Sequence, residues 1–200
     1  MSILAIIPAR SGSKRLAGKN LRPFCGKPLL QWTVEQAQRI EEIDEIIVTT
    51  DYQPSDLNCI PVRVSPDIQT VMRPEHLCGD DVPMAHVIAH VLGWKRTWPS
   101  LVVLLQPTSP TRTDETVREC IRKATEHYSM YPEPSHRVPT TVVTLNNQDP
   151  NGACYVFGPH SLPHRMRQYY RDGIQTDDID INEESEFRAA EEIMKKRLAG

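Results

Sequence analysis

The stretch Ile3–Asn20, ILAIIPARSGSKRLAGKN, runs an apolar segment straight into a basic loop. Ile3–Pro8 reads as a short buried strand ended by its proline. The loop then carries Arg10, Lys14, Arg15 and Lys19, with Ser11, Gly12, Ser13 and Gly18 and no acid. A charge run is ordinarily a solvated face. Here the glycines let the backbone approach a ligand, exposed N–H groups form an anion nest, and the lysines with Arg10 match phosphate oxygens. In an α/β sheet ligands bind beyond the carboxyl ends of strands, which is where this loop begins.

Working outward, strand and helix patterns alternate. Pro28–Ile40 reads as a helix with Leu30, Val34 and Ala37 on one face. Glu45–Thr50 reads as a strand closed by Asp51, and Pro61–Val64 as a short third strand. Val82–Trp94 reads as a helix and Leu101–Gln106 as a central strand. Thr113–Tyr128 reads as a helix capped by Thr113 or Asp114. Gly152–Phe157 is another strand, and Glu183–Ala199 a last helix, acidic at its start and basic at its end. The pattern predicts an α/β fold: a mostly parallel, doubly wound sheet with helices on both faces. Residues 1–200 read as a single domain. From 128 to 150 the pattern weakens among prolines, around one β-rich run, Thr140–Leu145, so this span is expected to be a lid or an excursion.

Two phosphate motifs are excluded. The P-loop spacing G-x-x-x-x-G-K-[ST] fails, because five residues separate Gly12 from Gly18 and Asn20 replaces the metal-binding hydroxyl. G-x-G-x-x-G is absent. A net charge of −3 argues against a general nucleic-acid binder. No apolar run reaches membrane-spanning length, so no membrane partner and a cytoplasmic location are the expectations. The five scattered cysteines form no CxxC pair and read as reduced thiols. His86 and His90 share a helical face, but Val87 stands where a zinc protease helix needs Glu, so they read as packing residues.

Five segments, in order, carry a resemblance. They are Ile7–Asn20, Arg73–Asp81 (RPEHLCGDD), Leu104–Arg112 (LLQPTSPTR), Asn151–Phe157 (NGACYVF) and Asp180–Glu191 (DINEESEFRAAE). Together they resemble the N-acylneuraminate cytidylyltransferases, the CMP-sialic acid synthetases. The sister CMP-Kdo synthetases share the I-P-A-R opening but carry G-D-x-P where this chain has Gln106–Pro110. The resemblance implies a nucleotide-diphospho-sugar transferase-like fold and a reaction in which a 2-keto sugar acid attacks the α-phosphorus of CTP with Mg²⁺. It also implies roles. Arg10, Ser13, Lys14 and Lys19 would hold phosphates, with Asn20 and Arg73 on the cytidine. Gln106, Thr108, Ser109, Asn151, Gly152, Ala153 and Tyr155 would line the sugar pocket. Arg10, Lys19 and Asp180 would take the catalytic part. Each residue also has an ordinary reading: Asn20 as a turn cap, Thr108 and Ser109 as a loop start, Tyr155 as core.

The chain departs from the family at two places. Where the family ends on two metal-binding aspartates, this chain has Asp180 and then Asn182, with Asp178 two residues earlier on the same strand face. The metal set is therefore expected to be Asp180 with Asn182 or Asp178. The second departure is the shortness of 128–150, a reduced dimerisation excursion, which implies either a homodimer with a reduced interface or a sugar bound differently. The expected partners are CTP and a nonulosonic acid. Two alternatives stand beside this: a nucleotide- or sugar-binding homologue without catalysis, and a cytidylyltransferase for another acidic sugar such as Kdo.

Overall fold

The computed structural model describes residues 1–53, 55–59, 68–130, 142–161 and 172–200. In chain order the elements are β1 (Ile3–Ala9), β2 (Pro23–Phe24), β3 (Lys27–Pro28), α1 (Leu29–Arg39), β4 (Glu45–Thr50) and β5 (Ile68–Met72). There follow α2 (Met84–Gly93), β6 (Leu101–Leu105), α3 (Asp114–Met130), β7 (Val142–Asn146), β8 (Asp149–Phe157), β9 (Asp172–Gln175) and α4 (Glu184–Ala199). Seven strands form one sheet in the order β5-β4-β1-β6-β8-β7-β9, and β2 and β3 form a separate small hairpin.

Strands β5, β4, β1 and β6 are parallel; β8 runs antiparallel to β6 and to β7, and β9 is parallel to β7. Among the described strands of the main sheet, β8 alone opposes the common direction, so the expected mostly parallel sheet is present. That reversal positions the site. Leu105, at the end of β6, pairs with Cys154 just past the middle of β8, so Asp149–Ala153 extend beyond the end of β6. The start of β8 therefore arrives at the same sheet edge as the carboxyl ends of β1, β4 and β6.

Alternation along buried strands builds two cores. Ile3, Ala5, Ile7 and Ala9 face α1 and α3, through Leu30, Val34, Val117 and Ile121. Leu4 and Ile6 face α2, through Ile88, Val91 and Leu92. Helices thus cover both faces. A third cluster packs α4, through Phe187, Ala190 and Met194, on Leu16, Phe24, Leu29 and Ile181. Helix α3 is capped by Thr113, whose Oγ1 accepts from Thr116 N at 3.1 Å. A capping box of Glu183 and Glu186 starts α4.

The structure revises one expectation, and two spans of the sequence reading lie outside the described residues. The third strand of the sheet is Ile68–Met72; Pro61–Val64 lies outside the described residues. Val142–Asn146 is no excursion but a strand of the main sheet, joined to β8 by a tight turn in which Asn147 and Gln148 have φ of 49° and 72°. The remainder of the expected excursion, 131–141, lies outside the described residues. His90 accepts from Trp94 Nε1 at 3.2 Å. Among the described residues no group of three or more His, Cys, Asp or Glu is placed to hold a metal ion, and no helix is long and apolar enough to cross a membrane.

Candidate active site

The basic loop is shaped by its own backbone and by two acids from elsewhere. Gly18 takes φ 62°, a left-handed turn that favours glycine, and a short 3₁₀ turn then buries Lys19 and Asn20. Asp51, just past β4, accepts from Ser11 N at 2.6 Å and from Ser11 Oγ at 2.7 Å, which pins the loop to the neighbouring strand. Asp80 pairs with Arg10 and, at 2.8 Å, with Lys14. The Lys14 ammonium and Arg10 guanidinium hold the Asp80 carboxyl below its ordinary range, and Asp80 in turn raises Lys14.

Lys19 points inward and donates to the Ile181 carbonyl. Burial pulls its ammonium below the ordinary lysine range, and Asp180 partly offsets this. Asn20 donates through Nδ2 to the Arg10 carbonyl at 2.9 Å, while its buried Oδ1 has no hydrogen bond among the described residues. Arg73 is buried against β4, donating to Thr49 O at 3.1 Å and Thr49 Oγ1 at 3.3 Å; burial lowers its affinity for a proton.

The segment before α4 closes over this edge. Ile181 N donates to Thr108 O at 2.7 Å, and Ile179 N donates to Thr111 Oγ1 at 3.0 Å. These bonds tether Asp178–Asn182 beside the loop after β6. Gly152 takes φ 82°, and a Cβ there would stand 3.1 Å from Gln106 Oε1, so the absent side chain leaves room for Gln106.

Two cavities result. One, of about 170 Å³, is lined by Arg10, Ser13, Lys19, Asn20, Arg73 and Thr108, together with Gln106, Asp180 and Asn182. The other, of about 380 Å³, is lined by Asn151, Gly152, Tyr155, Asp177, Asp178 and Glu186, again with Gln106, Asp180 and Asn182. Gln106, Asp180 and Asn182 thus form the edge that the cavities share.

The structure moves several expected residues away from the cavity walls. Lys14 lines neither cavity; it is 83% exposed and paired with Asp80. Ser109 and Ala153 are fully buried beneath the walls, because Ala153 alternates with Gly152 along β8 and turns its carbonyl to Arg112. Thr108 reaches the smaller cavity, not the larger. Asn151 lies on the wall, but its amide is spent on Thr144 Oγ1, Ala153 N and Thr176 Oγ1, at 2.6, 3.1 and 2.7 Å, so it braces the β7–β8 hairpin. Asn182 turns its Nδ2 to Asp180 Oδ2, at 3.1 Å, and its Oδ1 accepts from Arg15 at 3.2 Å. Asp178 is buried, with Oδ1 accepting from Thr111 Oγ1 at 3.3 Å.

Sequence reading passed over four contributors: Asp51, Asp80, Arg15 and Arg112. Arg112 is a buried cation that donates to Gln36 Oε1 at 2.8 Å, to Gln106 O at 3.3 Å and to Ala153 O, so it fastens both strands that carry the cavity walls. Asp80 lies one residue from the end of a recognised segment and Arg112 closes another, which was the available signal; nothing in their local pattern showed what they would touch.

Comparison with known proteins agrees with this geometry. A family model described as cytidylyltransferase matches residues 4–153. The CMP-N,N'-diacetyllegionaminic acid synthase of Legionella pneumophila is 38% identical over 124 residues, 60% of this chain and 52% of that protein. The N-acylneuraminate cytidylyltransferase of Escherichia coli is 39% identical over 120 residues, 60% of this chain and 27% of that protein. The match thus spans about half of the first relative and little over a quarter of the second. A CMP-2-keto-3-deoxy-manno-octonic acid synthetase solved with CTP shares the fold, with a TM-score of 0.71 over 98% of this chain and 100% of that one at 16% identity. The family match runs from β1 through the basic loop to the middle of β8, over most of the residues that build the smaller cavity, and the chain belongs to the cytidylyltransferase family.

Proposed function

We propose that this chain transfers CMP from CTP to the anomeric hydroxyl of a sialic-acid-type 2-keto sugar acid, releasing pyrophosphate. The observation that carries this reading is the pair of cavities meeting at Gln106, Asp180 and Asn182. The smaller cavity, with its cations, suits a nucleotide; the larger suits the sugar acid. A reacting α-phosphorus at the shared edge can be approached from the sugar side while pyrophosphate leaves along the basic loop. One bond forms between the sugar oxygen and the α-phosphorus, and one breaks to the β-phosphate; the hydroxyl proton passes to water.

Such displacements need positioning and charge neutralisation more than covalent help. Lys19 and Arg10 supply fixed positive charge, and Ser13 a hydroxyl donor. Asn20 Oδ1, a buried acceptor without a partner, suits the exocyclic amino group of cytosine, and its pairing would relieve the cost of an unmet buried acceptor. Gln106 stands between the two substrates.

Mg²⁺ commonly takes one or two carboxylates with phosphate oxygens and water. Asp180 fits that pattern: it lines both cavities, and its Oδ1 has no hydrogen bond among the described residues. When bound there, the ion would neutralise charge on the phosphate oxygens. Asn182 serves this arrangement by orienting Asp180 rather than by ligation.

The test is incubation with CTP, Mg²⁺ and a panel of nonulosonic acids that includes Kdo, reading pyrophosphate. Release with one sugar acid supports the reading and names the substrate; no release with any sugar or nucleotide overturns it. A second reading, a binding homologue without catalysis, draws on Asp180 being the one carboxylate at the shared edge. Tight CTP binding without turnover would favour it.

A further inference from the structure

Asp80 is on the loop that follows β5, across from the basic loop, and its two oxygens meet two cations. Oδ1 pairs with Arg10 Nη2, and Oδ2 with Lys14 Nζ at 2.8 Å. One carboxylate thus presents two acceptors to two donors, as a phosphate group does. Lys14 has no other ion pair among the described residues. Arg10 lines only the smaller cavity and Lys14 neither, so both pairs lie off the edge shared by Gln106, Asp180 and Asn182. With the α-phosphorus at that edge, the outer phosphates of a nucleoside triphosphate extend along the loop toward these same cations.

We propose that Asp80 occupies the seat of the leaving pyrophosphate and competes with it for Arg10 and Lys14, an inference that rests on the cytidylyl-transfer reading above. A triphosphate carries more charge and more oxygens than one carboxylate and displaces it. Once the bond to the α-phosphorus breaks, pyrophosphate is no longer tethered to the nucleoside. Asp80 then reclaims both cations and speeds pyrophosphate release. A nucleoside monophosphate, with its single phosphate at the shared edge, leaves the Asp80 pairs intact.

Titration calorimetry on the full chain tests this with three probes: inorganic pyrophosphate, CTP and CMP. Asp80→Asn is expected to tighten pyrophosphate and CTP by about fivefold to tenfold, the scale of two partly exposed ion pairs, and CMP by less than twofold. Pyrophosphate should become a stronger product inhibitor by a similar factor. Asp80→Glu, which keeps the charge, should restore wild-type values. Equal tightening of all three ligands would show a general charge effect and overturn the proposal. Unchanged or weaker pyrophosphate binding would overturn it by showing that Asp80 only pins the loop. Should the wild type bind none of the probes, the cytidylyl-transfer reading falls and this proposal with it; wild-type turnover with unaltered pyrophosphate affinity in Asp80→Asn removes this proposal alone.

Discussion

Asn182 Nδ2 donates to Asp180 Oδ2 at 3.1 Å, while the Asn182 carbonyl is held by Arg15 at 3.2 Å. The asparagine is therefore a neutral spacer between a cation and a carboxylate. Aspartate at 182 would set two carboxylates side by side. Like charges raise one of the two pKa values, and a divalent ion relieves the repulsion. Asn182→Asp is expected to lower the Mg²⁺ needed for half-maximal activity severalfold and, at low Mg²⁺, to move the acid limb of the pH profile upward. Asp180→Ala should abolish activity at every Mg²⁺ concentration. A Mg²⁺ titration at several pH values checks both; unchanged Mg²⁺ dependence in both variants would remove Asp180 from the metal site.

Lys19 sits in the smaller cavity with a depressed pKa caused by burial. In the free enzyme it loses its proton below the ordinary 10.5, so kcat/KM for CTP should fall on the alkaline side earlier than a free lysine would dictate. The unfolded chain still holds that proton, so the folded state binds fewer protons in this window and its stability rises with pH there. Lys19→Arg should shift the alkaline limb upward. Lys19→Ala is expected to cost more than tenfold in kcat/KM, the weight of one charge-assisted hydrogen bond of roughly 1.5–3 kcal/mol.

Gly152→Ala puts a Cβ 3.1 Å from Gln106 Oε1 at a left-handed backbone position. The strain should lower stability by about 1–2 kcal/mol. Because residue 152 lines only the larger cavity, KM for the sugar acid should rise more than KM for CTP. Steady-state kinetics with each substrate varied will show the split.

Arg112 donates to Gln36, Gln106 and Ala153 from a fully buried position. Arg112→Ala would leave those acceptors unmet beside a cavity. Chemical denaturation should report a loss of about 3–5 kcal/mol.

Much of this fold was readable because its central elements declare themselves locally. Strands β1, β4 and β6 are short apolar runs, and α1, α2 and α3 carry helical periodicity. Strand β5 escaped notice because an edge strand buries little: of Ile68–Met72, only Ile68 and Val71 are buried. Strand β9 is four residues long and includes a glycine. The β2–β3 hairpin turns at Cys25 and Gly26, both at positive φ, and cysteine there gives no turn signal. At the site, the residues that line the cavities were visible as polar groups on loops. The partners that hold them were not. Asp51 meets Ser11 across 40 residues, and Arg15 meets Asn182 across 167, so no local pattern encodes either contact. Depth was equally hidden: Ser109 and Thr108 are neighbours in sequence, yet only Thr108 reaches a cavity.

The reversal of β8 divides authorship of the molecule. The wall of the smaller cavity is written mainly by the first half of the chain, through β1 and the loops that follow β1 and β5. The opposite wall is written by a single hairpin and the segment before α4. Because that hairpin meets β6 along one antiparallel seam, from Val102–Phe157 to Leu105–Cys154, its outer residues can be rewritten without disturbing the smaller cavity. A chimera that imports a relative's hairpin up to this seam should inherit the donor's acceptor sugar while keeping its own CTP affinity, making the seam a natural suture line for engineering.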